Sequence, residues 1–333
     1  MANVNHQQDA VAVANRSARP VHQPTEARHK VAILLCTYHG QQYLADQLES
    51  FAAQTYADWQ VWASDDGSRD NTRTILESYQ LQWGADRLSI HSGPEEGFVA
   101  NFLSLTCNAN IKADYYAYSD QDDIWEVDKL QRAIDWLVTC SENIPAMYCT
   151  RTRLVNAKNQ DIGFSPLFAN PTSFANALVQ NIAGGNTMVF NQAARDLLFM
   201  AGDSVRVAAH DWWAYIVITG CGGRVYYDRR PSLRYRQHDE NLIGIGSGWP
   251  ARLLRAHKVW QGRFREWADQ NIQALLPLRS QLTPENRKLF DQFSVARNQK
   301  LLPRLIGLAR CGVYRQSVWS NLGFIAAVIF KKI

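Results

Sequence analysis

The sequence predicts an α/β protein, a mostly parallel sheet of Rossmann-like type followed by a helical C-terminal region. Three observations predict it. From Lys30 to Cys140, short apolar runs alternate with stretches of helical periodicity, the pattern of βαβ units. Polar clusters, "CTYHG", "SDDGSRD" and "SDQDD", follow three of the apolar runs. From Trp249 onward, apolar residues recur at helical spacing among arginines and lysines.

Taken in order, "VAILLC" (31–36) reads as a buried strand. "QQYLADQLESFAAQ" (41–54) sets Tyr43 or Leu44, Gln47 or Leu48, and Phe51 on one helical face. "WQVWAS" (59–64) is a second strand, and "DNTRTILESYQLQ" (70–82) is a helix with Asp70 as candidate N-cap. A strand "RLSIH" (87–91), a helix "GFVANFLSLTCNA" (97–109), a strand "YYAYS" (115–119) and a helix "EVDKLQRAIDWLVTC" (126–140) follow. The second half is more mixed. "AMYCTRTRLVN" (146–156) reads as one strand, "GGNTMVFN" (184–191) as a glycine turn entering a strand, and "GRVYYD" (223–228) as another strand. "HDWWAYIVITG" (210–220) is nearly all apolar and is predicted to be a buried helix. Right-handed crossovers bring the carboxyl ends of the parallel strands to one edge, where such sheets bind ligands.

The chain of 333 residues is 46% hydrophobic and 20% charged, enough for a large core. Six cysteines show no C-x-x-C spacing, which argues against a structural zinc site and suggests buried thiols in a reducing cytoplasm. Residues 1–29 are polar and carry no apolar signal core, so they read as a disordered leader. The expected organisation is this leader, a catalytic domain over 30–248 and a basic helical region over 249–333. The net charge of +4 hides an asymmetry: residues 251–333 hold 15 Lys and Arg against 4 Asp and Glu. Leu253, His257, Trp260, Phe264 and Trp267 share one helical face there. Two readings of this region stay open. One is a basic amphipathic surface lying on an anionic membrane; the other is a helical cap on the core. The apolar run 322–330 is too short to span a bilayer. No nucleic-acid-binding motif accompanies the charge.

The acidic clusters carry the chemistry. Asp120, Asp122 and Asp123 lie within four positions, an arrangement that is costly unless a cation offsets it. Mg²⁺ commonly uses one or two carboxylates together with substrate phosphates, so a metal–diphosphate site is one reading. A turn capping the next helix is the other. Asp65 and Asp66 form a second cluster at a strand end, suited to a turn or to a nucleotide's base and ribose.

"VAILLCTYHGQQYLADQLESFAAQTYADWQVWASDDGSRDNT" followed by "YSDQDDIW" resembles the family 2 glycosyltransferases of the GT-A fold. "SDQDDIWEVDKL", "GGNTMVFN", "HDWW" and "YRQHDENLIG" resemble, within it, the bacterial rhamnosyltransferase-like branch that builds O-antigen and other surface polysaccharides. The resemblance implies an inverting transfer from a nucleotide-diphosphate sugar, dTDP-rhamnose favoured, to a glycan or lipid-linked acceptor. It implies a divalent metal, Mg²⁺ or Mn²⁺, and a place at the cytoplasmic face of the cell membrane. It sets Thr37 and Tyr38 at the nucleotide, Asp65 at the base with Asp66 beside it, and Asp120 toward the ribose. Asp122 and His238 fall at the metal, and Asp211 at the catalytic base. Arg234 is a candidate for the phosphates, with Arg236 a weaker one. Asp123, Trp125, Gly185, Asn186 and His210 are candidates for sugar or phosphate contact. For Trp125 core packing is an equal reading, and for Lys129 a solvated charge.

A carboxylate in an apolar setting suits a base, because desolvation raises its pKa. Asp211 as a helix N-cap is the competing assignment. A non-catalytic nucleotide-sugar or glycan-binding module is the functional alternative. A nucleotidyltransferase fits less well, because "CTYHGQQ" lacks a glycine-rich, basic phosphate loop.

Overall fold

The first apolar run forms the centre of the sheet. The computed structural model describes Met1, residues 29–237 and residues 263–333. In chain order the first elements are β1 (Val31–Thr37), α1 (Leu44–Ala52), β2 (Trp59–Asp65), α2 (Thr72–Trp83), β3 (Leu88–Ser92), α3 (Phe98–Thr106) and β4 (Tyr115–Ser119). All seven residues of β1 are buried, as expected for a strand covered on both faces. Its alternate side chains divide two cores. Ala32, Leu34 and Cys36 face one, while Val31, Ile33 and Leu35 face the other. Leu44, Leu48 and Phe51 of α1 pack fully buried into the second, each worth about 1.5–3 kcal/mol relative to exposure.

The chain continues through β5 (Ile124–Trp125), α4 (Lys129–Leu137), β6 (Ala146–Thr150), β7 (Arg153–Asn156), β8 (Asp161–Phe164), α5 (Phe174–Ala177), β9 (Val189–Asn191), α6 (Gln192–Ala201), α7 (His210–Gly220), β10 (Arg224–Asp228) and β11 (Leu233–Gln237). The main sheet has the order β10-β6-β9-β4-β1-β2-β3. Only β9 runs antiparallel to its neighbours, so Thr37, Asp65, Ser119 and Asp228 all end strands at one edge.

Two departures from the sequence reading matter. The segment 146–156 is two strands, not one. The chain turns at Arg151 and Thr152, whose amides bond Asp228 O and Ser165 Oγ, and β7 leaves the main sheet. It joins a second sheet, β5-β11-β7-β8, which the sequence did not suggest. Asp70 stands just before α2, whose N-cap is Asn71, although the Asp70 carboxylate does accept the Thr72 amide.

The C-terminal region is helical: α8 (Arg263–Leu275), α9 (Pro284–Ala296), α10 (Leu301–Arg310) and α11 (Val318–Ile329). Phe264, Leu275, Phe290, Phe293 and Phe324 share one apolar cluster with Leu34, Tyr118 and Trp213. These helices therefore cover one side of the sheet, with α7 lying between. Among the described residues, no helix is long and apolar enough to cross a membrane. The six cysteines are free, four of them buried.

Candidate active site

The site grows from the sheet edge. Thr37 and Asp65 are register partners at the ends of β1 and β2, and the Thr37 hydroxyl donates to Asp65 Oδ1 at 2.9 Å. Ser68 donates to the same carboxylate through its amide (3.1 Å) and its hydroxyl (2.5 Å). Asp65 is thus fixed at the strand end. Tyr38, just beyond, is exposed and lies against His39 with ring centroids 4.2 Å apart. Asp66 takes another role. Its two oxygens accept the amides of Glu95 (2.7 Å) and Gly97 (2.9 Å), so it also holds the β3–α3 loop.

The acidic loop after β4 is tied to the β1 loop by a residue the sequence reading passed over. Gln121, between Asp120 and Asp122, accepts the Tyr38 amide and donates to the Tyr38 carbonyl, both at 2.8 Å. A Cβ on Gly40 would lie 2.3 Å from Gln121 Oε1, so only glycine leaves room for this clamp. Here the loops frame a cleft of about 280 Å³ lined by His39, Gly40, Tyr43, Gln121 and Asp122. A larger shallow depression, about 480 Å³ beside Arg206, Arg265 and Asp269, holds none of the candidate residues.

Below Asp120 and Asp122 lies a buried polar layer. Asp123 is fully buried and accepts from Asn186 Nδ2 at 2.5 Å and from the Arg236 amide at 3.4 Å. Lys129 is also fully buried, which corrects its reading as a solvated charge. Its ammonium donates to the Asn186 carbonyl and stands 3.6 Å from the centre of the Trp125 ring. Trp125 packs on Phe51 in the core, so of its two readings the structure favours packing. Asp123 and Asn186 are buried and bonded to each other beneath the loop.

Arg236 is buried as well. It donates to Asp122 O (3.0 Å), Ala157 O (3.1 Å) and Asp46 Oδ2 (2.8 Å). It stitches α1 to the acidic loop, which removes it as a phosphate ligand. Arg234 is part-exposed and pairs with Glu126 at 3.2 Å. His238 lies outside the described residues.

Asp211 stands in the first turn of α7, whose N-cap is Ala209, so the N-cap reading of Asp211 does not hold. Its carboxylate accepts the amides of Trp212 (2.6 Å) and Gly185 (3.0 Å). A Cβ on Gly185 would meet His210 Nε2 at 2.4 Å, so the turn needs glycine to approach this closely. His210 is buried, stacked on Phe102 with centroids 3.8 Å apart.

Electrostatics join these parts. Burial, helped by Asp122 and Asp211, pushes the Asp120 carboxyl up to about 7, against the pull of Lys129. Burial with Asp122 and Asp120 raises Asp123 well above the carboxylate range. Burial lifts Asp211 to about 6, opposed by the amides it accepts. Burial lowers Lys129 while Asp123 and Asp120 hold it up, and it lowers His210 to about 3, so that ring is neutral. Among the described residues no three metal-binding side chains converge. The donor set still fits a hard divalent cation held partly by phosphates: oxygen ligands at the loop tip and carboxyls whose mutual repulsion a cation would relieve.

A mostly parallel sheet with aspartates on its carboxyl edge, faced by an aspartate on a buried helix, is the GT-A architecture of glycosyltransferases. The fold agrees with that of the mannosyltransferase PcManGT from Pyrobaculum calidifontis, solved with GDP-Man and Mn²⁺. The TM-score is 0.50 at 16% identity, covering 92% of this chain and 86% of that one.

The chain belongs to the family 2 glycosyltransferases. The model of Glycosyl transferase family 2 matches residues 32–196. The dTDP-rhamnosyl transferase RfbG of Shigella flexneri is 30% identical over 253 residues, 72% of this chain and 84% of that protein. A shorter match, 28% over 118 residues, covers 35% of this chain and 44% of WfgD of Escherichia coli. That protein is a UDP-Glc:alpha-D-GlcNAc-diphosphoundecaprenol beta-1,3-glucosyltransferase.

Proposed function

We propose that the protein transfers a sugar, with inversion, from a nucleotide diphosphate to the hydroxyl of a glycan or lipid-linked acceptor in cell-surface polysaccharide synthesis. Rhamnose from dTDP-rhamnose is the favoured donor, supported by the likeness to RfbG. A lipid-diphosphate acceptor is supported by the diphosphoundecaprenol in the name of WfgD.

Thr37, Tyr38 and Asp65 receive the nucleotide, with Asp120 toward the ribose. Asp122, with His238, would hold a divalent cation, which supplies positive charge to the leaving diphosphate. Asp211 accepts the proton of the acceptor hydroxyl. The acceptor oxygen bonds to the anomeric carbon as the bond from that carbon to the diphosphate oxygen breaks, and the nucleoside diphosphate departs.

One observation carries this reading: Asp211, held by the Gly185 amide, stands near enough to the acidic loop that its charge adds to the cost of ionising the buried Asp120. Asp211→Asn tests it. Loss of a general base should lower kcat by about 10²–10⁴, with donor binding retained. Undiminished turnover would remove Asp211 as the base. A wild-type protein that binds donors but turns none over, on any acceptor, would favour the binding-module alternative.

A further inference from the structure

The helix α11 is apolar around most of its circumference, yet it is buried on one side only. Phe324, Ala327 and Val328 enter the core, and the chain end returns with Ile333 buried. Opposite them, Val318, Trp319, Leu322 and Ile325 stand in solvent, with Trp319 83% and Val318 75% exposed. Their spacing places them along one stripe. On α10, which packs beside it, Leu302 (70%) and Ile306 (52%) are exposed too. Soluble monomers rarely leave so continuous an apolar surface in water.

The charge around this surface selects its occupant. After Asp291 the chain has no acidic residue, but seven basic ones. Arg297 and Arg304 are used internally: Arg297 pairs with Asp269, and Arg304 donates to Gln299 O and to Ile329 O at the end of α11. Lys300, Arg310 and Lys331 remain exposed at the ends of the two helices.

We propose that the outer faces of α10 and α11 form a monotopic docking surface for an anionic lipid bilayer, with the apolar stripe entering the headgroup boundary and the lysines and arginines meeting lipid phosphates. Apolar burial gives the main attraction, and basic residues add to it on anionic lipid only. Arg304 fixes the two helices as one plate, so the surface is preformed. A second copy of the chain fits less well, because two such basic faces would repel. The proposal holds whichever sugar the cleft transfers.

The test is flotation of the full-length protein with vesicles. It should float with mixed phosphatidylglycerol and phosphatidylcholine, float about tenfold less with phosphatidylcholine alone, and be partly released by high salt. W319S/L322S/I325S should remove flotation while thermal unfolding and near-ultraviolet circular dichroism stay as in the wild type. L302S/I306S, on the other helix, should weaken it independently, which guards against a misfolded triple variant. K300E/R310E/K331E should abolish the preference for anionic lipid. Failure of the wild-type protein to float, or flotation unchanged in both apolar variants, overturns the proposal. So does a concentration-dependent dimer in sedimentation velocity that W319S/L322S/I325S dissociates, which would assign the face to a second copy.

Discussion

Replacing Lys129 with Met probes the buried layer under the acidic loop. Methionine keeps the length and apolar stem but removes the charge, the donor to the Asn186 carbonyl and the contact with Trp125. Removing one member of a buried charged cluster costs about 3–5 kcal/mol, because its partners are left uncompensated. The hydrogen bond to a charged donor accounts for about 1.5–3 kcal/mol of that. The remainder depends on whether Asp120 and Asp123 are ionised. A carboxyl raised above its ordinary value stabilises the fold below that value and loses the contribution as pH rises through the raised one. Asp120 is raised to about 7 and Asp123 is raised well above the carboxylate range, with Lys129 restraining both. Without Lys129 they rise more, so the penalty should approach the full 3–5 kcal/mol near pH 8. At pH 5, below the raised value of Asp120, it should shrink toward the hydrogen-bond part. Urea unfolding followed by tryptophan fluorescence, in chelator at both pH values, measures this. A loss below about 1 kcal/mol, or one equal at the two pH values, would refute the assignment of Lys129 as the internal counter-charge.

Two further predictions concern the cleft. With Asp211 at about 6, log kcat should fall with unit slope as pH drops through that value, because the protonated acid cannot take the acceptor's proton. A limb near pH 4 in a rate–pH profile would show that burial does not tune this group. Gln121→Ala removes two hydrogen bonds to Tyr38, together worth about 1–2 kcal/mol. The donor KM should rise roughly 5- to 30-fold with kcat little changed. Gly40→Ala, by displacing the same side chain, should reproduce that effect in steady-state assays, and a purely kcat defect would contradict the clamp.

Much of the fold was legible because the strands before Cys140 are short and largely apolar, β1 above all, and their crossover helices have clear periodicity. The second sheet was not. Its strands are short and polar, as in "RLVN" and "LRYRQ", and their pairing joins residues about 80 positions apart, which no local pattern encodes. The acidic residues could be located from sequence, but not sorted. Asp65 and Asp66 are adjacent and chemically identical. Only the loop that closes on Asp66 through Glu95 and Gly97 separates a candidate ligand contact from a structural anchor. The burial of Asp123 and Arg236 was not legible for the same reason, since burial beneath a loop depends on distant chain. Gln121 was invisible because its partner, Tyr38, is 83 positions away.

The short turn at Gly185–Thr187 holds a double grip. The amide of Gly185 fastens Asp211, the proposed base, while the next residue, Asn186, fastens both Asp123 and Lys129. Both residues are buried in the same short turn, which ties their movements together. A shift of the acidic loop on filling the nucleotide end of the cleft would be passed through this turn to Asp211. Kinetically, this favours an ordered scheme in which the glycosyl carrier enters first and readies the far wall for its co-substrate.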